Sequence, residues 1–108
     1  MHTVVMKRIV IIGDIDVEYR LVKEVQVLGA TGYTSCDARG QGERGIRPRH
    51  AESGNTKIEI IATPEVAHKI LEHVATHYFE KYAMIAYLDD VQVLQGEKFV
   101  KVHRTLDS

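Results

Sequence analysis

Cysteine occurs once and proline twice among the 108 residues of this chain, and positive charge is not in excess. A lone Cys36 excludes an internal disulfide, so packing and hydrogen bonds must hold the fold, and a reducing, cytoplasmic setting is expected. Fourteen Lys and Arg against fifteen Asp and Glu leave a net charge of −1, without the basic stripe a phosphate backbone needs, so no nucleic-acid partner is expected. No apolar run approaches the roughly 18 residues that span a bilayer. Val4–Ile12, the most apolar stretch near the N-terminus, is broken by Lys7 and Arg8 and does not read as a leader. What is present, 44% hydrophobic and 27% charged residues, describes an ordinary globular chain. One domain over 1–108 is expected, large enough for a core and small enough to gain from oligomerisation.

Val4–Ile12 is rich in β-branched residues and ends at Gly13-Asp14, the pattern of a buried strand. Asp14 or Asp16 can cap a helix with apolar positions Val17, Leu21, Val25 and Leu28, closed by Gly29. Gly32–Arg39 is a second extended stretch, and Lys57–Thr63 ("KIEIIAT") alternates as a third strand. Thr63-Pro64 supplies an N-cap and an N1 proline for a helix with core positions Val66, Ile70, Val74 and Tyr78. A fourth strand is expected over Ala83–Leu94, with a bend or bulge at Asp89-Asp90. The order βαββαβ predicts an α+β, ferredoxin-like sandwich with both helices on one face of a four-stranded sheet. Met6, Ile9, Ile11, Met84 and Ala86 leave few polar positions for a wet second face, so association through that face is expected.

A long connection, Gly40–Thr56, separates strands two and three where a hairpin needs only a few residues. It concentrates Arg44, Arg47, Arg49 and His50 just after Arg39, against Glu43 and Glu52 as its acids. Gly40-Gln41-Gly42-Glu43-Arg44-Gly45 satisfies G-x-G-x-x-G, but a dinucleotide loop must leave the first strand and open a helix. This one leaves the second strand and runs into Arg47-Pro48-Arg49, so the dinucleotide reading is rejected. Two readings of the loop remain on the residues alone. One is an anion site of glycine N–H groups and arginine forks; the other is a solvated connection.

The remaining chemistry-bearing residues read as structural. His73 and His77 stand at i, i+4 without a third ligand and are expected to be solvated. Cys36 is expected to pack as a small side chain beside Thr34 and Ala38. No set of nucleophile, base and orienting group can be assembled, so no catalysis is expected.

"GATGYTSCDARGQGERG" (29–45) resembles the second strand and T-loop of PII signalling proteins, and "KIEIIAT" (57–63) the strand that follows that loop. "HYFEKYAMIAYLDDVQVLQGEKF" (77–99), with Tyr78-Phe79-x-x-Tyr82-Ala83 and Val93-Leu94-x-Gly96-x-x-Phe99, resembles the PII-like branch linked to inorganic carbon. That branch includes the carboxysome-associated PII protein and cyanobacterial regulators of bicarbonate transporters. The resemblance implies a non-catalytic homotrimer with ADP or AMP in clefts between subunits, ATP and cyclic AMP as further candidates, and no required cofactor. It also implies bicarbonate as a second ligand and a transporter or carboxysome component as partner. By resemblance, Gly32, Tyr33 and Thr34 line the adenine end, and Gly40, Gln41, Gly42 and Arg44 approach the phosphates. Glu59, Tyr82, Ala83, Lys98 and Arg104 complete the nucleotide site, and Gln41, Gly42, Arg44 and Arg47 are candidates for bicarbonate. Departures from ordinary PII proteins are informative. No Tyr lies between Arg39 and Lys57 for uridylylation, Arg44 replaces a Gln used with Mg-ATP and 2-oxoglutarate, and Phe79-Glu80-Lys81-Tyr82 replaces a glycine-rich loop. Sensing of 2-oxoglutarate is therefore not expected. The alternative is a trimeric ferredoxin-like metal-binding protein using the His-bearing second helix.

Overall fold

The structure, a computed structural model, describes residues 1–40 and 54–100. Strand β1 (Val4–Asp14) leads through a 3-10 turn (Ile15–Val17) into helix α1 (Glu18–Val27), then strand β2 (Thr34–Ala38). Strand β3 (Asn55–Ala62), helix α2 (Pro64–His77) and strand β4 (Ile85–Val93) follow, and a 3-10 turn (Gly96–Phe99) ends the described chain. The sheet order is β2-β3-β1-β4, and every hydrogen-bonded pair is antiparallel. This is the expected α+β sandwich. β1 and β2 run in the same direction with β3 inserted between them, which is what splits each βαβ unit.

Local chemistry sets the turns. The Asp14 carboxylate accepts from Asp16 N at 2.9 Å and starts the turn before α1. Gly29 has φ +124°, and a Cβ there would stand 2.8 Å from Val66 Cγ2, so both backbone and packing require glycine where α1 meets α2. Thr63 Oγ1 accepts from Val66 N at 3.3 Å and Pro64 opens α2. Thr63→Ala should therefore lower stability by about 1 kcal/mol, read as a shifted denaturant midpoint with unchanged slope.

The core lies between the helices and one sheet face. Ile9 and Ile11 of β1 meet Ile58, Ile60 and Ala62 of β3, under Leu21 and Val25 of α1 and Ile70 and Val74 of α2. Ile9, Ile11, Met84 and Ala86, expected to make the second face apolar, belong to or pack against this cluster. Alternation puts Val4, Met6, Val10, Ile61, Ile85 and Tyr87 on the opposite face. Val4, Ile85 and Tyr87 are more than 40% exposed there, so the apolar patch exists but is built from other side chains.

β4 carries no bulge at Asp89-Asp90. Its register with β1 is unbroken from Val4↔Val93 to Ile12↔Ile85, and the two aspartates face opposite sides of the sheet. Asp89 takes a two-pronged hydrogen bond from Arg8 (3.0 and 2.8 Å), and Asp90 pairs with Lys7 at 2.6 Å. The Arg8 fork holds the Asp89 carboxyl below the usual carboxylate range. Cross-strand ion pairs are the physical reason a regular strand tolerates two adjacent acids.

Candidate functional site

Three segments distant in sequence meet beside the β2 edge of the sheet. After α1, Ala30 N donates to Val25 O at 3.0 Å and Ala30 is buried, which turns the chain outward into Thr31-Gly32-Tyr33 and on to Thr34 of β2. Thr34 lies opposite Glu59 in the β2–β3 register, and alternation puts Ile61 on the same face. At the far end of the chain, Gly96 packs 3.1 Å from Val4 measured from where its Cβ would stand, and the turn beginning there brings Lys98 and Phe99 over β3. Thr31, Gly32, Tyr33, Thr34, Glu59, Ile61, Lys98 and Phe99 line one open cavity of about 280 Å³.

This lining offers threonine hydroxyls, a carboxylate, an ammonium, aromatic rings from Tyr33 and Phe99, and an aliphatic floor. Such a set can stack a flat ring, hydrogen-bond its edge and neutralise an anion. Of the residues singled out from sequence, Gly32, Tyr33, Thr34, Glu59 and Lys98 are brought together here. Gly40 stands exposed beyond β2. Gln41, Gly42, Arg44, Arg47 and Arg104 lie outside the described residues. Thr31 and Ile61 do not stand out in the sequence, and Phe99 does so only as part of the Gly96-x-x-Phe99 run, not as a site residue. Ile61 was accessible to sequence reasoning, because it stands two residues after Glu59 on an alternating strand.

Tyr82 and Ala83 do not line this cavity. Ala83 lies by Gly13, and Tyr82 packs against Tyr78 with ring centroids 6.0 Å apart. Tyr82 borders a polar cluster that sequence did not reveal. There Glu24 of α1 accepts from Tyr78 Oη at 2.6 Å and pairs with His73 Nε2 at 2.7 Å, while Arg20 Nε donates to Tyr78 Oη at 3.0 Å. An ionised carboxylate only accepts, so Nε2 of His73 carries the proton. Burial alone would raise the Glu24 carboxyl; the bonds from Tyr78 and His73, with the Arg20 charge, hold it below its ordinary value instead. His73 is thus a half-buried bridge between helices rather than a solvated histidine, and its ring lies 4.6 Å from that of exposed His77. Cys36 is exposed on β2 rather than packed. Among the described residues, no group of three or more His, Cys, Asp or Glu could hold a metal ion, and no helix is long and apolar enough to cross a membrane.

The arrangement has known counterparts. A protein assigned as PII-like and signalling, from Thermus thermophilus, is 46% identical; the match covers 93% of this chain and all of that one, with a TM-score of 0.81. CPII from Thiomonas intermedia K12, a nitrogen regulatory PII-like protein solved bound to ADP and bicarbonate, is 22% identical with a TM-score of 0.78. That match covers 91% of this chain and 97% of CPII, and at this identity it speaks for the fold. CPII bound to ADP, AMP and acetate matches equally well at 20% identity, over 92% of this chain and 98% of that one. The model of the nitrogen regulatory protein P-II family matches residues 6–98, which include every strand core, both helices and all but one residue of the cavity. The chain belongs to the nitrogen regulatory protein P-II family.

Proposed function

We propose that this chain, acting as a single domain, is a non-catalytic cytoplasmic sensor that assembles as a homotrimer. It binds ADP or AMP at the cavity beside β2, together with bicarbonate, and reports to a partner that handles inorganic carbon. The observation that carries this reading is the convergence of Gly32–Thr34, Glu59 and Lys98, from three separate segments, on one open cleft. Two features support it. Among the described residues an added Cβ at Gly32 would meet nothing within 4 Å, and its φ is not positive, so neither their packing nor the backbone requires glycine there. A close-approaching ligand would. Second, the described residues enclose about 280 Å³, just short of the roughly 300–1,000 Å³ of small-molecule clefts, so by themselves they hold only part of a nucleotide. A neighbouring subunit, seated on the apolar face that carries Val4, Ile85 and Tyr87, supplies the rest. Tyr82 and Ala83 would reach the nucleotide from that neighbour.

CPII, solved with ADP, AMP and bicarbonate, supports the choice of ligands, and the absence of a Tyr between Arg39 and Lys57 speaks against control by uridylylation. Light scattering should give a mass near three times 12.2 kDa, and calorimetry should show ADP binding that Mg²⁺ barely changes. Lys98→Ala should weaken it roughly five- to tenfold, the loss of one charge-assisted contact. A stable monomer at micromolar concentration that ignores ADP and AMP would refute the proposal.

A further inference from the structure

We infer that Glu18 is a positioning residue for the cavity: it clamps edge strand β2 from behind and so fixes the wall that carries Thr34. This inference rests on the nucleotide reading above for its ligand and on the described geometry for its mechanism. Glu18 is the first residue of α1, set there by the turn that Asp14 caps. Its two carboxylate oxygens accept from hydroxyls on two different strands. Ser35 Oγ of β2 donates to one at 3.1 Å, and Thr56 Oγ1 of β3 donates to the other. Thr56 is only 1% exposed, so its hydroxyl has no water to replace that bond. The same hydroxyl lies 3.5 Å from Cys36 O of β2, so the three elements meet at this point.

The clamp matters because β2 is short and lies at an edge. Among the described residues its five residues pair with β3 alone, and none of its side chains enters the core cluster. A strand with so little burial separates easily from its sheet. Successive residues face opposite sides, so Ser35 bonds Glu18 on the helix side while Thr34 lines the cavity on the other. Holding Ser35 therefore aims Thr34 and the preceding Tyr33 before any ligand arrives. Without the clamp, ligand binding must also order the strand, and affinity falls by that cost.

The test compares ADP affinity by calorimetry and β2 amide hydrogen exchange in wild type, Glu18→Ala, Glu18→Gln and Thr63→Ala. Glu18→Ala should weaken ADP about tenfold and speed exchange at the hydrogen-bonded β2 amides by a similar factor, since freeing about one residue's backbone costs that much. Glu18→Gln keeps the length, and its amide can accept from Thr56 and donate to Ser35 Oγ, so affinity should return to within about threefold of wild type. Thr63→Ala, which lowers stability by about 1 kcal/mol without touching the clamp, should leave both readouts near wild type. If Glu18→Ala exchanges at β2 like wild type, or loses no more affinity than Thr63→Ala, the clamp is refuted. If wild type itself ignores ADP, the nucleotide reading fails, and β2 exchange alone decides whether Glu18 holds the strand.

Discussion

Tyr78→Ala should cost about 3–5 kcal/mol of unfolding free energy, a large share of the roughly 5–15 kcal/mol that typically holds a domain of this size. The ring is 1% exposed just past the end of α2 and belongs to the main core cluster, so truncation opens a cavity in the core. It also has polar consequences. The guanidinium of Arg20 sits 4.9 Å above the ring centroid and bonds the hydroxyl, and Glu24 loses its closest donor. Tyr78→Phe separates the two contributions. It keeps the packing and should cost about 1–2 kcal/mol, the value of a hydroxyl shared between a carboxylate and a guanidinium. Denaturant melts of both variants decide it. An alanine variant within about 1 kcal/mol of wild type would mean that the network and the core do not depend on this ring.

The same cluster dictates how stability follows pH. The Glu24 carboxyl titrates below its ordinary value of 4.5 in the folded chain. Its contribution is therefore complete above about 4.5 and is lost as pH falls through the lower, folded value. The Tyr78 hydroxyl is pushed above its ordinary value of 10.0, first by burial and then by Glu24. Its contribution is complete below about 10 and is lost as pH rises through the folded value. Melting temperature should be level between these limits as far as Glu24 and Tyr78 are concerned. Glu24→Gln should be less stable at neutral pH and should flatten the acid limb of the curve. An acid limb of unchanged slope would show that other carboxyls set it.

Where a structural feature depends on residues near each other in sequence, the residues themselves announce it. The β-branched run of β1, the Thr63-Pro64 start of α2 and the Gly29 stop of α1 all follow from short-range sterics and hydrogen bonding. Features that depend on distant partners were hidden. Asp89-Asp90 reads as a break until β1 is laid against β4 and Arg8 and Lys7 arrive opposite. His73 and His77 read as a surface pair until α1 brings Glu24 to within 2.7 Å of one of them. The cavity falls between these cases. Gly32–Thr34 and Glu59 were found through family resemblance, and alternation along β3 would have added Ile61. Phe99 stood in a recognised run, but only the turn of the chain after β4 shows that it reaches β3.

Bicarbonate should tighten ADP binding by about 5- to 150-fold, the range of ordinary coupling free energies of roughly 1–3 kcal/mol, and ADP should tighten bicarbonate binding by the same factor. The expectation starts from charge. Arg39, Arg44, Arg47, Arg49 and His50 crowd the segment leaving β2, while its own acids are Glu43 and Glu52. If ADP binds as proposed, its phosphates need only one or two of these cations, which would leave cationic capacity for a second anion. Bicarbonate is planar and carboxylate-like, so an arginine fork can hold it with two parallel hydrogen bonds. By the resemblance to ordinary PII proteins, Arg44 would stand where they carry a glutamine that works with Mg²⁺. A fixed cation there repels the metal and attracts an anion directly, which ties the predicted indifference to Mg²⁺ to the predicted response to bicarbonate. Calorimetry at constant pH and ionic strength, with chloride replacing bicarbonate in the control, separates specific coupling from screening. Arg44→Ala should still bind ADP but lose most of the bicarbonate gain, whereas Arg49→Ala should keep it. Equal ADP affinity at every bicarbonate concentration would leave a sensor of adenine nucleotides alone and remove the link to inorganic carbon.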